Sequence, residues 1–330
     1  MLRIAINGFG RIGRHAFKVI QNKKGMEVVA INDLTSSKIL AHLLKHDTAY
    51  PDVEYSVKFD DKNLIIAGKK IPVFAEKDPS LLPWKKMNVD LVLECTGFFR
   101  DEEGAGKHLT AGAKKVIISA PAKGEIKTLV KGVNDTEYKG EKIVNNASCT
   151  TNCAAPVMLV LEKEFGIAKA MLTTVHSYTA SQSLQDGPNK DLREARAAAQ
   201  NMIPTSTGAA VAVAQAIPEL KGKFDGLSIR VPTITVSLTD ITALLKCSVT
   251  KEEINEAMKK AEKTYLKNIL ATTDEELVSS DFIGNPYSAI VDLHLTNVVD
   301  GNLVKVVAWY DNEWGYANRL VEMAQLVGKK

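Results

Sequence analysis

The chain has 330 residues, 45% of them hydrophobic and 25% charged, with a formal net charge of +3. That length exceeds one ordinary core, so two domains are expected, and the small, interspersed charge calls for neither nucleic acid nor an anionic membrane. No stretch is long and apolar enough to span a bilayer, the N-terminus leaves no room for a signal peptide, and the four cysteines lack paired spacing, so a reducing cytoplasmic compartment is expected.

Residues 2–7 read as a short, largely apolar strand of the parallel-sheet kind. Gly8-Phe9-Gly10-Arg11-Ile12-Gly13 follows, and then residues 14–20 at helical spacing. In such a unit Gly8 makes the tight turn, Gly10 lets the backbone approach a pyrophosphate, and Gly13 lets helix and strand pack closely. The phosphate would sit on the helix N-terminus. A second strand, residues 28–32, ends at Asp33, where a carboxylate suits the ribose 2′-hydroxyl of NAD and repels the 2′-phosphate of NADP. Strand, glycines, helix, strand and acid in that order favour nucleotide binding over an ordinary glycine-rich turn.

Strands are expected at 89–95 and 115–119, leading into Thr96-Gly97 and, from Ser119, into Ala120-Pro121. Both place small residues at carboxyl ends of strands, where open α/β sheets bind ligands. Cys95 is expected in the core, and His108, in a charged segment, on the surface.

Cys149 lies in Asn146-Ala147-Ser148-Cys149-Thr150-Thr151-Asn152-Cys153, at what reads as the start of a helix over 150–165. Helix N-termini lower a thiol pKa, and a thiolate is a strong nucleophile. Pro156 should kink that helix; alternatively the helix begins later and Cys149 sits on a preceding turn. Cys153 is expected to be a buried helix residue, since no second thiol pair supports a metal site.

After Cys149 the pattern changes. Strands are expected at 168–176, 227–236, 239–249, 289–295 and 304–310, and helices at 208–216, 251–269 and 315–327. Thr250-Lys251-Glu252-Glu253 is a capping box that opens the 251–269 helix. Few helices separate these strands, so a mostly antiparallel or mixed sheet is expected. Residues 177–206 read as a long irregular loop. His176 closes a strand and opens that loop, a good place from which to aim a side chain at a site, whereas His294 alternates within a strand. A cysteine nucleophile needs a base, and His176 is the candidate. Thr179, the run 204–210 with Thr207 and Gly208, and Arg230 could hold a phosphate, although an N-cap or a surface ion pair explains each one separately.

Gly8 to Gly13, Ala147 to Asn152, His176-Ser177-Tyr178-Thr179, Ser206 to Ala210, Arg230-Val231-Pro232 and Trp309 to Tyr316 together resemble phosphorylating glyceraldehyde-3-phosphate dehydrogenase, end to end and in the family's order. The resemblance implies an α/β Rossmann-type domain with a parallel sheet over 1–148, and an α+β catalytic and oligomerisation domain with a mostly antiparallel or mixed sheet over 149–314. The C-terminal helix, 315–330, would return to the first domain. NAD is the implied cofactor, with Gly8, Gly10, Arg11, Ile12, Gly13, Asp33, Thr96, Ser119, Asn312 and Tyr316 in its site. Cys149 would attack the aldehyde of glyceraldehyde 3-phosphate with His176 as base, and inorganic phosphate would cleave the thioester to give 1,3-bisphosphoglycerate. Thr179 and Arg230 would hold the substrate phosphate; Ser148, Thr150, Thr207 and Gly208 would hold the incoming one. The segment from 177 to about 203 would contact a neighbouring subunit's cofactor, implying a homotetramer. No metal, nucleic acid or membrane partner is implied.

Two departures stand out. Glu194 occupies a position where some bacterial relatives carry a second Arg, and Thr233-Ile234-Thr235-Val236-Ser237 resembles the erythrose-4-phosphate dehydrogenase branch. Thr179 and Ser206-Thr207-Gly208 fit the glyceraldehyde phosphate enzymes better, and Pro188 and Asp33 both favour NAD. The alternatives are therefore oxidation of erythrose 4-phosphate by the same thiol chemistry, or a nucleotide-binding scaffold without catalysis. The intact Cys149, His176 and Arg230 set argues against the scaffold.

Overall fold

The apolar strand Leu2–Asn7 (β1) pairs in parallel with Met26–Asn32 (β2), and helix Arg11–Gln21 (α1) joins them. The computed structural model describes residues 1–329. By contacts the chain divides into two units. One holds Met1–Leu129, Glu137–Ala147 and the chain from Ala317 on; the other holds Val130–Thr136 and Ser148–Tyr316.

In the first unit, β2 is followed by helix Ser37–Lys45 (α2) and three short strands, Val57–Asp60 (β3), Asn63–Ile66 (β4) and Lys69–Phe74 (β5). Then come Leu91–Glu94 (β6), helix Glu102–Thr110 (α3), Lys115–Ile118 (β7) and Ile143–Asn145 (β8). The sheet runs β3-β4-β5-β2-β1-β6-β7-β8. Its two antiparallel pairs lie at the β3 edge, and the remaining pairs are parallel. Strands Ile4–Ile6 and Leu91–Leu93 are fully buried, as parallel strands covered on both faces must be. Gly13 is obligatory: a Cβ there would stand 2.1 Å from the Gly8 carbonyl oxygen.

The second unit opens with helix Cys149–Phe165 (α4) and strand Ile167–Ser177 (β9). Strand Ile203–Ser206 (β10), helix Ala209–Ala216 (α5), Phe224–Val231 (β11) and Ser237–Leu245 (β12) follow. Helix Lys251–Lys263 (α6) precedes Leu270–Thr273 (β13), Ala289–Asp292 (β14), Asn297–Val299 (β15) and Leu303–Tyr310 (β16); helix Trp314–Lys329 (α7) follows, and from Ala317 on it belongs to the first unit. The sheet order is β10-β11-β9-β12-β16-β14-β13, with β15 on β16. It is mixed: β11 runs parallel to β9 and β13 to β14, and the other pairs are antiparallel. The alternating burial of β12 shows one face on the core. The two units are thus a Rossmann-type α/β domain and an α+β domain with a mixed sheet.

Several expectations shift. Helix α4 starts at Cys149 and continues through Pro156, so the later start is excluded. The capping box at Thr250 is formed, but its helix ends at Lys263 rather than 269. Strand β10 occupies the end of the segment read as a loop, and β12 and β14 stop short of the expected ends, which leaves His294 beyond its strand with Nε2 against the Asp274 carbonyl. His108 is fully buried, not on the surface. Among the described residues, no helix is long and apolar enough to cross a membrane, and no cluster of ligating side chains suits a metal ion.

Candidate active site

In the second unit, three adjacent elements converge on one sulfur. Ser148 is the N-cap of α4, its hydroxyl accepting from Thr151 N–H, so Cys149 is the first helical residue. His176 stands near the carboxyl end of β9, and its Nε2 lies 3.4 Å from Cys149 Sγ. Arg230 is the register partner of His176 on β11, and its Nη1 lies 2.6 Å from His176 Nδ1 and 3.4 Å from the Ser177 carbonyl. Nδ1 thus meets an acceptor, the Ser177 carbonyl at 2.7 Å, as well as the Arg230 donor; in the tautomer that gives the Nδ1 proton to the carbonyl, Nε2 presents its lone pair to the thiol.

Charges around the pair explain its resting state. Cys149 is partly exposed at its surface, yet burial of the sulfur among protein groups pushes the thiol up from its ordinary value. Arg230, the Thr150 hydroxyl and N–H groups at the helix start pull the other way without winning. The expectation of a thiolate held by the helix end is therefore corrected: desolvation outweighs the dipole here. Burial, aided by the Arg230 charge, pushes His176 down to about 3. Thiol and neutral imidazole face one another, ready for proton transfer during attack.

Behind the sulfur lies a chain of hydroxyls. Thr150 Oγ1 and Thr174 Oγ1 each sit 2.9 Å from Tyr310 OH, and Thr174 donates to the Leu238 carbonyl. Tyr310 also meets the His176 ring edge to face. Ser177 and Ser237 both donate to Asn312 Oδ1, at 2.9 and 3.0 Å. Sequence reasoning quoted Tyr310, Ser177 and Ser237 inside motifs but gave them no role. Ser177 adjoins His176 and Tyr310 lies two residues before Asn312, a signal the sequence carries, whereas nothing local ties Ser237 to either. Val236, before Ser237, has φ 69°, a strained conformation for a β-branched residue.

The other candidates are placed less directly. Thr179 Oγ1 meets Ser181 Oγ, and Thr207 Oγ1 accepts from Ala209 N–H at the start of α5, beside Gly208. Neither joins the hydrogen bonds of the Cys149–His176 pair. Arg230 Nε is buried without a partner, so this guanidinium has donor capacity left for an anion. Glu194 accepts from Thr205 Oγ1 at 3.0 Å. Cys153 is buried, as expected, against Thr239.

In the first unit, a cavity of about 390 Å³ opens at the carboxyl ends of the strands, with Asn7, Gly8, Gly10, Asp33 and Thr96 in its wall. Its donors fit a dinucleotide. Gly8 has φ +88°, and a Cβ there would strike Thr96 N at 2.8 Å, whereas at Gly10 it would meet open space. Helix α1 has no side-chain cap and no acid in its first turn, leaving N–H groups for a phosphate. Asp33 accepts from Phe9 N–H at 2.8 Å and Thr35 N–H at 2.9 Å. Arg11, Ile12 and Ser119 are outside this wall: Arg11 pairs with Asp47 at 2.7 Å and Ser119 bonds Cys95. Cys95, expected in the core, is partly exposed and lines the cavity. Asn312 and Tyr316 are buried members of the second unit.

Comparison with known proteins agrees in both halves. Residues 2–102 match the glyceraldehyde 3-phosphate dehydrogenase NAD binding domain, and residues 148–312 match the C-terminal domain of the same family. Glyceraldehyde-3-phosphate dehydrogenase 1 of Bacillus subtilis (strain 168) is 52% identical over 331 residues, covering 100% of this chain and 99% of its own. The Geobacillus stearothermophilus enzyme has the same identity and coverage, and that of Zymomonas mobilis is 53% identical over 333 residues, 99% of each chain. With both halves matched and relatives of this likeness spanning it end to end, the chain belongs to the glyceraldehyde-3-phosphate dehydrogenase family of NAD-dependent oxidoreductases.

Proposed function

We propose that the chain oxidises glyceraldehyde 3-phosphate to 1,3-bisphosphoglycerate with inorganic phosphate, through a covalent adduct on Cys149. The observation that carries this is the 3.4 Å approach of Cys149 Sγ to His176 Nε2, the ring nitrogen that takes the thiol proton in the tautomer protonated at Nδ1. As sulfur adds to the aldehyde carbon, His176 Nε2 takes the thiol proton. The resulting oxyanion is held by the Cys149 backbone N–H, which has no intrahelical partner at the first helical position, and by the imidazolium. The chemistry NAD supplies when bound is hydride acceptance. Phosphate attack on the Cys149 thioester forms a C–O bond, breaks the C–S bond, and returns the thiolate to His176 for its proton.

Arg230 carries the substrate phosphate in this reading, with Thr179 beside it; Ser148, Thr150, Thr207 and Gly208 receive the attacking phosphate. Gly8, Gly10, Arg11, Ile12, Gly13, Asp33, Thr96, Ser119, Asn312 and Tyr316 serve NAD. A cytoplasmic homotetramer belongs to the same reading. Its support is the exposure of Leu184, Leu192 and Met202, at 80%, 83% and 76%, which apolar side chains seldom keep without a partner surface, together with four free cysteines.

Absorbance at 340 nm tests the reading, with NAD and either glyceraldehyde 3-phosphate or erythrose 4-phosphate, with and without phosphate. Turnover that ignores phosphate, or that prefers the four-carbon sugar, rejects it. Cys149→Ser should abolish turnover and keep NAD binding; retained turnover removes the sulfur from the reaction.

A further inference from the structure

A buried row of polar side chains crosses the carboxyl ends of the parallel strands at the cofactor cavity. Trp84 Nε1 donates to His108 Nδ1 at 3.0 Å. An indole N–H only donates, so Nδ1 is the bare nitrogen and the His108 proton sits on Nε2, an assignment made from its partners. Nε2 lies 3.0 Å from Glu94 Oε2, to which it therefore donates. Asn7 Nδ2 donates to the same oxygen at 2.5 Å, and Asn32 Nδ2 donates to Asn7 Oδ1 at 2.7 Å. Glu76 N–H in turn donates to Asn32 Oδ1 at 2.9 Å. The other Glu94 oxygen accepts both the N–H and the hydroxyl of Thr96. Donors from three residues, Asn7, His108 and Thr96, thus end on one carboxylate.

Packing alone does not call for such a row. Glu94 and His108 are buried to 1% and 0% exposure, where apolar residues of similar volume would be at least as stable. What the row adds is a single orientation for each polar group. Asn7, Asn32, Glu76 and Thr96 all line the cavity.

We infer that Glu94 is the positioning residue of the NAD site: held by the single tautomer of His108, its carboxylate orients Asn7 and Thr96 in the cavity wall. This rests on the cofactor half of the functional reading and is independent of the thiol chemistry.

Glu94→Gln keeps the shape but must point an NH2 either at His108 and Asn7 or at Thr96, donor against donor. His108→Gln keeps an acceptor for Trp84 and a donor for Glu94, and His108→Leu keeps neither. The measurement is calorimetric binding of NAD and of AMP to the intact full-length assembly, with thermal unfolding and assembly size recorded for each variant. AMP cannot take part in hydride transfer, so its Kd reports the pocket alone. Glu94→Gln and His108→Leu should each weaken both ligands by about tenfold or more, as expected when buried donors lose their acceptor, while His108→Gln should stay within about threefold of the parent. Parental Kd values in folded Glu94→Gln or His108→Leu overturn the inference. So does a His108→Gln as weak as His108→Leu, which would assign the effect to ring packing. If Glu94→Gln does not fold, the two His108 variants decide. Failure of the parent chain to bind NAD would strike the functional reading itself.

Discussion

Arg230 and His176 face each other in register on β11 and β9, with Arg230 Nη1 2.6 Å from His176 Nδ1. A positive charge so placed acts on both members of the catalytic pair. It resists protonation of the imidazole and favours ionisation of the sulfur. Replacing it with Leu should therefore move the pH midpoint of Cys149 alkylation by iodoacetamide upward, besides raising KM for the phosphorylated substrate. An unmoved midpoint would show that the guanidinium serves the substrate only.

His176→Asn should lower kcat by roughly two to four orders of magnitude, the usual effect of removing a general base. Stopped-flow of the first turnover checks this directly. A change confined to KM would reduce His176 to a binding residue.

The same imidazole links stability to acid. Its value falls from 6.5 in the unfolded chain to about 3 in the folded protein. Between those limits the unfolded chain binds more protons, so this contribution to stability is intact above 6.5 and is lost as pH falls towards 3. Urea unfolding of the parent and of His176→Gln, compared across that window, should show the parent losing more stability. Parallel curves would mean that the imidazole is protonated in the folded protein.

Asp33 engages both carboxylate oxygens, one with Phe9 N–H and one with Thr35 N–H. Asp33→Ala should relax discrimination against NADP and also weaken NAD, because the glycine turn loses its anchor. Comparing Kd for the two cofactors tests it; an unchanged ratio would place the selectivity elsewhere.

Gly13→Ala forces a methyl to 2.1 Å from the Gly8 carbonyl oxygen, a backbone atom that cannot swing aside. The cost should be about 1–3 kcal/mol of stability, as for other overpacked positions. Denaturant midpoints measure it, and a neutral result would mean that β1 and α1 can separate cheaply.

Legibility followed the range of the interactions. The β1–Gly8–α1–β2–Asp33 unit was plain because glycine spacing, apolar runs and the closing acid are local signals. Thr250 and Glu253 announced α6 for the same reason. Strands β3 to β5 went unmarked: they are short, and polar residues such as Lys58, Asp61 and Lys62 interrupt their pattern. His108 was misplaced because its burial depends on Trp84 and Glu94, and nothing in the neighbouring Lys107 reveals them. The thiol's direction was missed because desolvation is set by the folded surroundings and not by helix position. The Cys149–His176 contact spans 27 residues and was reached through motif resemblance and strand-end logic, not periodicity.

Ser177 and Ser237 converge on the same oxygen of Asn312. With that oxygen taking both hydroxyl protons, the NH2 of the carboxamide is turned away from the two serines. Whatever docks against its nitrogen end must arrive carrying lone pairs, and an aspartate at 312, though isosteric, would greet the same visitor with repulsion.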